Sequence, residues 1–393
     1  MRVLFVTNVV THYRAPLYQK LAERLDVRFL LYSDGREWYW NGGSLPLGDL
    51  PGKVLSGWWI GRTRIVPELL ADLWRTDYDV VVKCINGRFA LPVTYAAARA
   101  RGKPFILWTS LWRHPTSGFH RLTGPAVRLL YRNADAIVTY GRHVSRYVAS
   151  QGASPDRVFE APQAIDLDRF SGSPSDTSGQ VLPEGAREQP IVLYVGRLES
   201  WKGPHILLRA LAEAAKDRPF TAVFAGDGSM RGDLERDAGR LGLTERTLFL
   251  GHVPSKDLPG LYRTAATVIV PSIETPDFSE PWSLVVNEAL ASCKPVIASD
   301  AVGAVRDGLL AHGRTGLVVP SGEALALAQA IRIVLDGPRK ANELALAGHR
   351  VVADYSYDAA VEAFCHALDV AVDGRLNALE NGGASKTRTR EQG

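Results

Sequence analysis

Glu280-Pro281-Trp282-Ser283-Leu284-Val285-Val286-Asn287-Glu288-Ala289-Leu290 is the stretch on which the reading of this chain turns. Ahead of it, residues 266–272 form a short β-branched run closed by proline, the pattern of a buried strand. A polar, proline-broken loop covers 273–279, and residues 283–293 read as a helix with small and apolar residues on most faces. Glu280 is therefore expected in the loop at a strand's carboxyl end, and Glu288 more than one turn into the helix. At about 1.5 Å rise per residue, roughly 7–8 Å separate Glu288 from the helix amino-terminus. That is the reach from a diphosphate to the ribose hydroxyls of a nucleotide. Backbone N–H groups at Ser283 and Leu284 suit phosphates, and a carboxylate at Glu288 suits the two hydroxyls.

Spacing alone leaves a second reading open, in which Glu280 caps the helix and Glu288 is a solvated helix glutamate. Val285, Val286, Ala289 and Leu290 surround Glu288 with apolar neighbours and favour the first. Glu-x7-Glu after a strand and Pro-Ser, continued by Ala-Leu-Ala-Ser-Cys-Lys-Pro-Val-Ile-Ala-Ser over 289–299, resembles the donor site of retaining GT-B glycosyltransferases, glycosyltransferase family four. The resemblance implies an α/β chain of two Rossmann-like domains, their parallel sheets facing a central cleft. It implies transfer of a sugar from a nucleoside diphosphate to an acceptor hydroxyl with retention of anomeric configuration. Glu280 would then face the transferred sugar. The chain departs from the family at two places: Pro281-Trp282-Ser283 stands where an aromatic and then glycine are usual, and Cys293 where glycine is usual.

The order of elements agrees with two such domains. Strand and helix alternate over 2–150, which calls for a parallel sheet covered on both faces. Within that stretch 34–60 reads as irregular and 63–76 as a helix. The expected divisions are a first domain over 1–170, a linker over 171–189 and a donor domain over 190–356. A helix over 357–375 would return to the first domain, and 376–393 would be a disordered tail.

Gly196-Arg197-Leu198-Glu199-Ser200-Trp201-Lys202-Gly203-Pro204 places two cations in one loop at a strand end, between glycines that permit close backbone approach. As bare spacing, Arg197 and Lys202 could be two solvated loop cations. Gly-Arg-x4-Lys-Gly resembles the family's diphosphate clamp, which offsets charge building on the leaving group. Leu250-Gly251-His252-Val253-Pro254 is similar to the segment that holds the base through backbone groups, so Gly196 and Val253 join the expected nucleotide contacts. Gly226-Asp227-Gly228 is assigned to shaping the cleft. On the acceptor side stand His12 and Arg14 of the first loop and Asn86 after the third long strand; packing of the first helix is the other reading of His12 and Arg14. His114 is either a displaced equivalent of a family histidine near the transferred sugar or a plain loop histidine.

Length and composition bound the rest. A chain of 393 residues with 46% hydrophobic and 22% charged residues is ordinary for two soluble domains. Three separated cysteines point to reduced thiols and a cytoplasmic setting, and against a zinc site. No apolar run reaches the ~18 residues of a membrane span. The resemblance implies no metal and no cofactor, and no Asp-x-Asp triplet is assigned to hold a divalent ion. Net charge divides unevenly, about +9 over 1–170 and about −5 beyond, and seven of the nine tryptophans lie in the first half. That half could touch the inner face of an anionic membrane, or its Trp38, Trp40, Trp58 and Trp59 could stack on a sugar, lipid-linked or small-molecule acceptor. No nucleic-acid partner is expected. A dehydrogenase is excluded because no Gly-x-Gly-x-x-Gly follows the first strand. An epimerase or a non-catalytic nucleotide-sugar-binding protein of the same architecture remains the alternative.

Overall fold

The computed structural model describes residues 1–35, 47–172, 182–216, 218–276 and 278–388, the last from 376 by backbone alone. Trp38, Trp40, residues 173–181 of the expected linker and residues 389–393 lie outside them. Two compact units result. The first comprises Met1–His114, Phe119–Pro162 and the segment from Tyr357; the second comprises Pro115–Gly118 and Gln163–Ser356.

In the first unit the strands are β1 (Arg2–Thr7), β2 (Asp26–Leu31), β3 (Gly52–Val54), β4 (Trp58–Ile60), β5 (Thr63–Ile65), β6 (Val80–Cys84), β7 (Phe105–Thr109), β8 (Ala136–Thr139) and β9 (Val158–Glu160). Seven of them make one parallel sheet in the order β3-β2-β1-β6-β7-β8-β9. The strand order reverses between β1 and β6, where Val6 pairs with Lys83. β6, β7 and β8 are buried throughout, as strands covered on both faces must be.

The return segment is part of this unit. Its helix, Tyr357–Arg388, places Phe364 against Phe5 and Trp108, with ring centres 5.8 and 5.3 Å away. Lys20 and Asp358 add an ion pair at 2.7 Å, and the Tyr357 hydroxyl donates to the Tyr13 carbonyl at 3.0 Å.

The second unit holds β10 (Ile191–Val195), β11 (Thr221–Ala225), β12 (Thr247–Gly251), β13 (Ala265–Val270), β14 (Val296–Ser299) and β15 (Leu317–Val319). They form a parallel sheet in the order β12-β11-β10-β13-β14-β15. Relabelled within the unit this is 3-2-1-4-5-6, the doubly wound order whose ligands bind beyond the strand ends at the reversal. Here the reversal falls between β10 and β13. A core of Tyr194, Leu207, Leu211, Phe224, Ile269 and Ile331 fills the sheet face beneath it.

Three expectations need correction. Residues 34–60 are not wholly irregular, since β3 adds an edge strand and β4 pairs antiparallel with β5 in a separate hairpin. The helix expected over 63–76 begins only at Pro67, because Thr63–Ile65 is spent in that hairpin. The final helix, expected over 357–375, runs on to Arg388. Leu376, Ala378, Leu379 and Glu380 are good helix formers and extend it by about a turn; Asn381-Gly382-Gly383 beyond them have no such propensity.

Candidate active site

The loops after β10 and β13 meet at the reversal of the second sheet. Leaving β10, Gly196 adopts φ 149° and donates its N–H to the Ala225 carbonyl at 3.0 Å, and Leu198 donates to Asp227 at 2.9 Å. A Cβ on Gly226 would lie 1.8 Å from the Gly196 carbonyl oxygen. Gly226-Asp227-Gly228 thus braces the cation loop from the neighbouring strand end. Buried Tyr194 donates its hydroxyl to the Arg197 carbonyl at 2.6 Å, and the Arg197 guanidinium lies 5.4 Å from the centre of the Trp201 ring. A single 3-10 turn, Ser200–Lys202, then leads to Gly203 at φ 69°, where a Cβ would meet the Pro271 carbonyl oxygen at 2.0 Å. This close backbone approach carries Lys202 to the end of β13, and Pro204 opens the helix Pro204–Ala214.

Lys202 Nζ reaches Glu280 Oε2 at 2.5 Å, with side chains 20% and 7% exposed. The Ser272 hydroxyl donates to the same oxygen at 3.3 Å. Backbone holds the carboxylate in place: the Gly303 N–H donates to the Glu280 carbonyl at 3.1 Å, and Ala304 to Trp282 at 3.1 Å. Trp282 is buried, and its indole donates to Asn287 Oδ1 at 2.7 Å, while Asn287 Nδ2 donates to the Gln163 carbonyl at 2.8 Å. The loop is therefore far less exposed than solvated cations and a free carboxylate would require.

Ser283 precedes the helix Leu284–Ala291 at φ 80°, and Cys293 follows it at φ 52°. Among the described residues these are the non-glycine positions with positive φ. They are also the two places where this chain departs from glycine. The backbone geometry that suits glycine is kept although the residue is not.

Glu288 lies inside this helix, half-buried, and accepts the Tyr262 hydroxyl on Oε2 at 2.6 Å. Burial pushes its carboxyl above the usual carboxylate range, against the lowering effect of the Tyr262 bond and of the Arg169 charge. Tyr262 had no signal in the sequence; a tyrosine in a short helix before a strand is ordinary. At the end of β12, Gly251 takes φ 69° and bridges to Gly226, so Gly196, Gly226 and Gly251 stand at three successive strand ends. Val253 beyond it is buried, and His252 is exposed.

The remaining candidates lie in the first unit. His12 is exposed, its ring edge-on to Tyr13 at 5.3 Å. Arg14 stands over Trp108 and donates to the Tyr140 hydroxyl. Asn86 is half-buried in the loop after β6. His114 Nε2 lies 2.7 Å from the His120 carbonyl oxygen, and the two rings are 5.9 Å apart. Lys83, on β6, is fully buried and was not singled out, although a lysine interrupting Val-Val-Val-Lys-Cys is a visible signal. It donates to the Cys84 and Asn86 carbonyls, each at 2.7 Å, and lies 4.4 Å from the centre of the Tyr32 ring. Burial lowers its ammonium to about 7.

Two Asp-x-Asp triplets do occur, Asp77-Tyr78-Asp79 and Asp166-Leu167-Asp168. Asp77 and Asp79 both pair with Arg2 at the amino end of the first sheet, and Asp166 caps the short helix Leu167–Ser171 through the Arg169 N–H. Of the tryptophans, Trp58 is exposed on the hairpin, whereas the Trp59 indole faces the Asp34 carboxylate at 3.3 Å. No helix among the described residues is long and apolar enough to cross a membrane.

Residues 183–351 match the family described as glycosyl transferases group 1. Over 262 residues the chain is 29% identical to alpha-D-kanosaminyltransferase of Streptomyces kanamyceticus, covering 64% of this chain and 66% of that one. It is 34% identical over 233 residues to D-inositol 3-phosphate glycosyltransferase of Nocardia farcinica, spanning 56% of this chain but about half of that relative, 49%. Among solved structures, Anabaena HepE in complex with UDP superposes with a TM-score of 0.76 at 23% identity, covering 94% of this chain and 100% of that one. Sucrose-phosphate synthase of Thermosynechococcus elongatus gives 0.72 at 21% identity, over 93% and 98%. The fold is the GT-B pair of Rossmann-like α/β domains, and the matched second domain together with the relatives supports a glycosyltransferase.

Proposed function

We propose that this chain moves a sugar from a nucleoside diphosphate to an acceptor hydroxyl, with retention of anomeric configuration and without a metal ion. The observation that carries the reading is the meeting of Arg197, Lys202, Glu280 and the start of the helix Leu284–Ala291 at the reversal of one parallel sheet. In this account the diphosphate lies against the Ser283 and Leu284 N–H groups, with Arg197 and Lys202 beside it. Glu288 accepts from the ribose, and Gly196 and Val253 border the nucleotide.

As the bond from the anomeric carbon to the diphosphate oxygen breaks, its electrons remain on that oxygen. The two cations stabilise the charge that develops there. The acceptor oxygen forms the new bond on the same face, and its proton passes to the departing phosphate. Glu280, released from Lys202 when that ammonium turns to the diphosphate, holds the sugar's hydroxyls. His12, Arg14 and Asn86 are assigned to the acceptor, and His114 to the catalytic group beside the transferred sugar. The UDP bound by the HepE neighbour makes UDP the first nucleotide to test.

A thermal-shift panel of UDP, GDP, ADP and dTDP tests donor binding, since a ligand at 100 times its Kd adds about 2.7 kcal/mol of stability. NMR of the glycoside formed from an α-linked donor tests the stereochemistry. An α-product is expected, and a β-product would remove retention from the account.

A further inference from the structure

The helix Gly118–Asn133 buries Leu130 and Tyr131 in the first unit, and its other side faces solvent. Apolar side chains nonetheless stand on that outer side. Leu122 is 81% exposed, the most of any large hydrophobic among the described residues, while Leu129 is 55% and Phe119 41% exposed. Leu122 and Leu129 are seven positions apart, two turns at about 3.6 residues per turn, and so lie in one row. Exposed Pro125 and Ala126 fall between them, with Phe119 at the edge. Single exposed leucines are ordinary, but an apolar row along one face marks a surface that something covers.

A row of arginines runs beside it. Arg121 and Arg128 are also seven apart and Arg132 follows one turn later, about a quarter-turn round the helix from the leucines. All three are exposed. Arg128 Nε donates to Gln151 Oε1 at 3.1 Å and Arg132 Nε to the Gln151 carbonyl at 3.4 Å, which anchors both side chains without neutralising them. The helix contains no Asp or Glu, and among the described residues no carboxylate pairs with these arginines. Between Asp79 and Asp156 the chain carries eleven arginines and lysines and one acid, Asp135, which pairs with Arg99 at 2.8 Å. The positive balance of the first half is therefore concentrated around this helix.

Exposed leucines beside cations with no acid of their own are the two halves of an interfacial amphipathic helix. Headgroup phosphates answer the arginines, and the acyl boundary takes the leucines. A nucleic acid would answer the arginines alone, and the same face of a second copy brings no acid to them. At 16 residues the helix is shorter than the ~20 that span a bilayer, so it lies along the surface.

We infer that the outer face of Gly118–Asn133 docks the first unit on an anionic lipid surface, with Leu122 and Leu129 entering it and Arg121, Arg128 and Arg132 at the phosphates. This docking does not rest on the glycosyltransferase reading.

The test is co-sedimentation of the full chain with vesicles of phosphatidylglycerol, against vesicles of phosphatidylcholine, at low and high salt. Binding to phosphatidylglycerol is expected at low salt and should weaken as salt rises. Leu122→Ser and Leu129→Ser should each weaken it roughly tenfold, the share of one buried leucine. Arg121→Gln should weaken it about fivefold, and Arg121→Lys should restore it because the charge returns. These side chains are exposed, so the variants should melt with the wild type. Trp58→Ser, which removes the exposed tryptophan of the hairpin, should bind as the wild type does. No binding at low salt, equal binding to both lipids, or loss in Trp58→Ser with none in Leu122→Ser would overturn the inference. A dimer in sedimentation velocity that Leu122→Ser dissolves would mean that a second copy covers this face, and would overturn the lipid assignment.

Discussion

Lys202 Nζ and Glu280 Oε2 stand 2.5 Å apart, joining a residue of the loop after β10 to one of the loop after β13. Both belong to the proposed chemistry, and in the ligand-free chain each answers the other's charge. Glu280 is buried, so its partner cannot be removed without leaving a carboxylate in a dry site. Lys202→Met should therefore destabilise the chain by about 3 kcal/mol and also cut turnover roughly 10²-fold. Adding Glu280→Gln should recover most of the stability and none of the activity. Chemical denaturation of the two single variants and the double variant measures this; additive losses would show that the pair is not coupled.

Backbone strain gives a second expectation. Cys293 sits at φ 52°, a conformation that costs a side-chain-bearing residue about 1 kcal/mol. Cys293→Gly should raise the melting temperature by about 2–4 °C, while Cys293→Val should lower it. A lower melting temperature for the glycine variant would contradict the strain assigned here.

Glu288 carries a third. Its carboxyl is raised by burial, so its contribution to stability is complete below the unfolded value and declines as pH rises through the folded one. Glu288→Gln keeps an acceptor for the Tyr262 hydroxyl and carries no charge. It should be more stable than the wild type at pH 8, with the difference shrinking towards pH 4. Urea denaturation at both values decides it, and a pH-independent difference would remove burial as the cause.

Lys83 titrates with the opposite sign. Its folded value, about 7, lies below its ordinary 10.5. The unfolded chain therefore binds the extra proton between those values, and stability from this group rises with pH across that window. Relative to Lys83→Met, which removes the ammonium and leaves the Cys84 and Asn86 carbonyls unanswered, the wild type should gain stability from pH 7 to pH 10. A flat difference over that range would mean that the ammonium stays charged when buried.

Much of this architecture is written locally. Ile191–Val195 and Ala265–Val270 are β-branched runs that end in glycine and proline, so strand, loop and following helix can be read directly. Three-residue strands such as Gly52–Val54 and Val158–Glu160 carry too little alternation to be read, and exist because a neighbouring strand accepts them. Pairing across the sheet was not legible either. Nothing local tells Lys202 that Glu280, 78 positions away, will answer it, or Glu288 that Tyr262 will donate to it. The glycine-like backbone at Ser283 and Cys293 was visible only as a departure from a resembled pattern, since serine and cysteine by themselves predict negative φ.

The central claim, that Glu288 holds the nucleotide while Glu280 faces the transferred sugar, is tested most directly by calorimetry. Bare UDP would be titrated into the wild type, Glu280→Gln and Glu288→Gln, with the other nucleoside diphosphates replacing it if they bind more tightly. Loss of a hydrogen bond to a charged group, about 1.5–3 kcal/mol, should weaken binding to Glu288→Gln at least tenfold. Glu280→Gln should bind the bare nucleotide within threefold of the wild type and yet turn over poorly with the nucleotide sugar. The reverse order of affinities, with Glu280→Gln the weak binder and Glu288→Gln unchanged, would contradict the account.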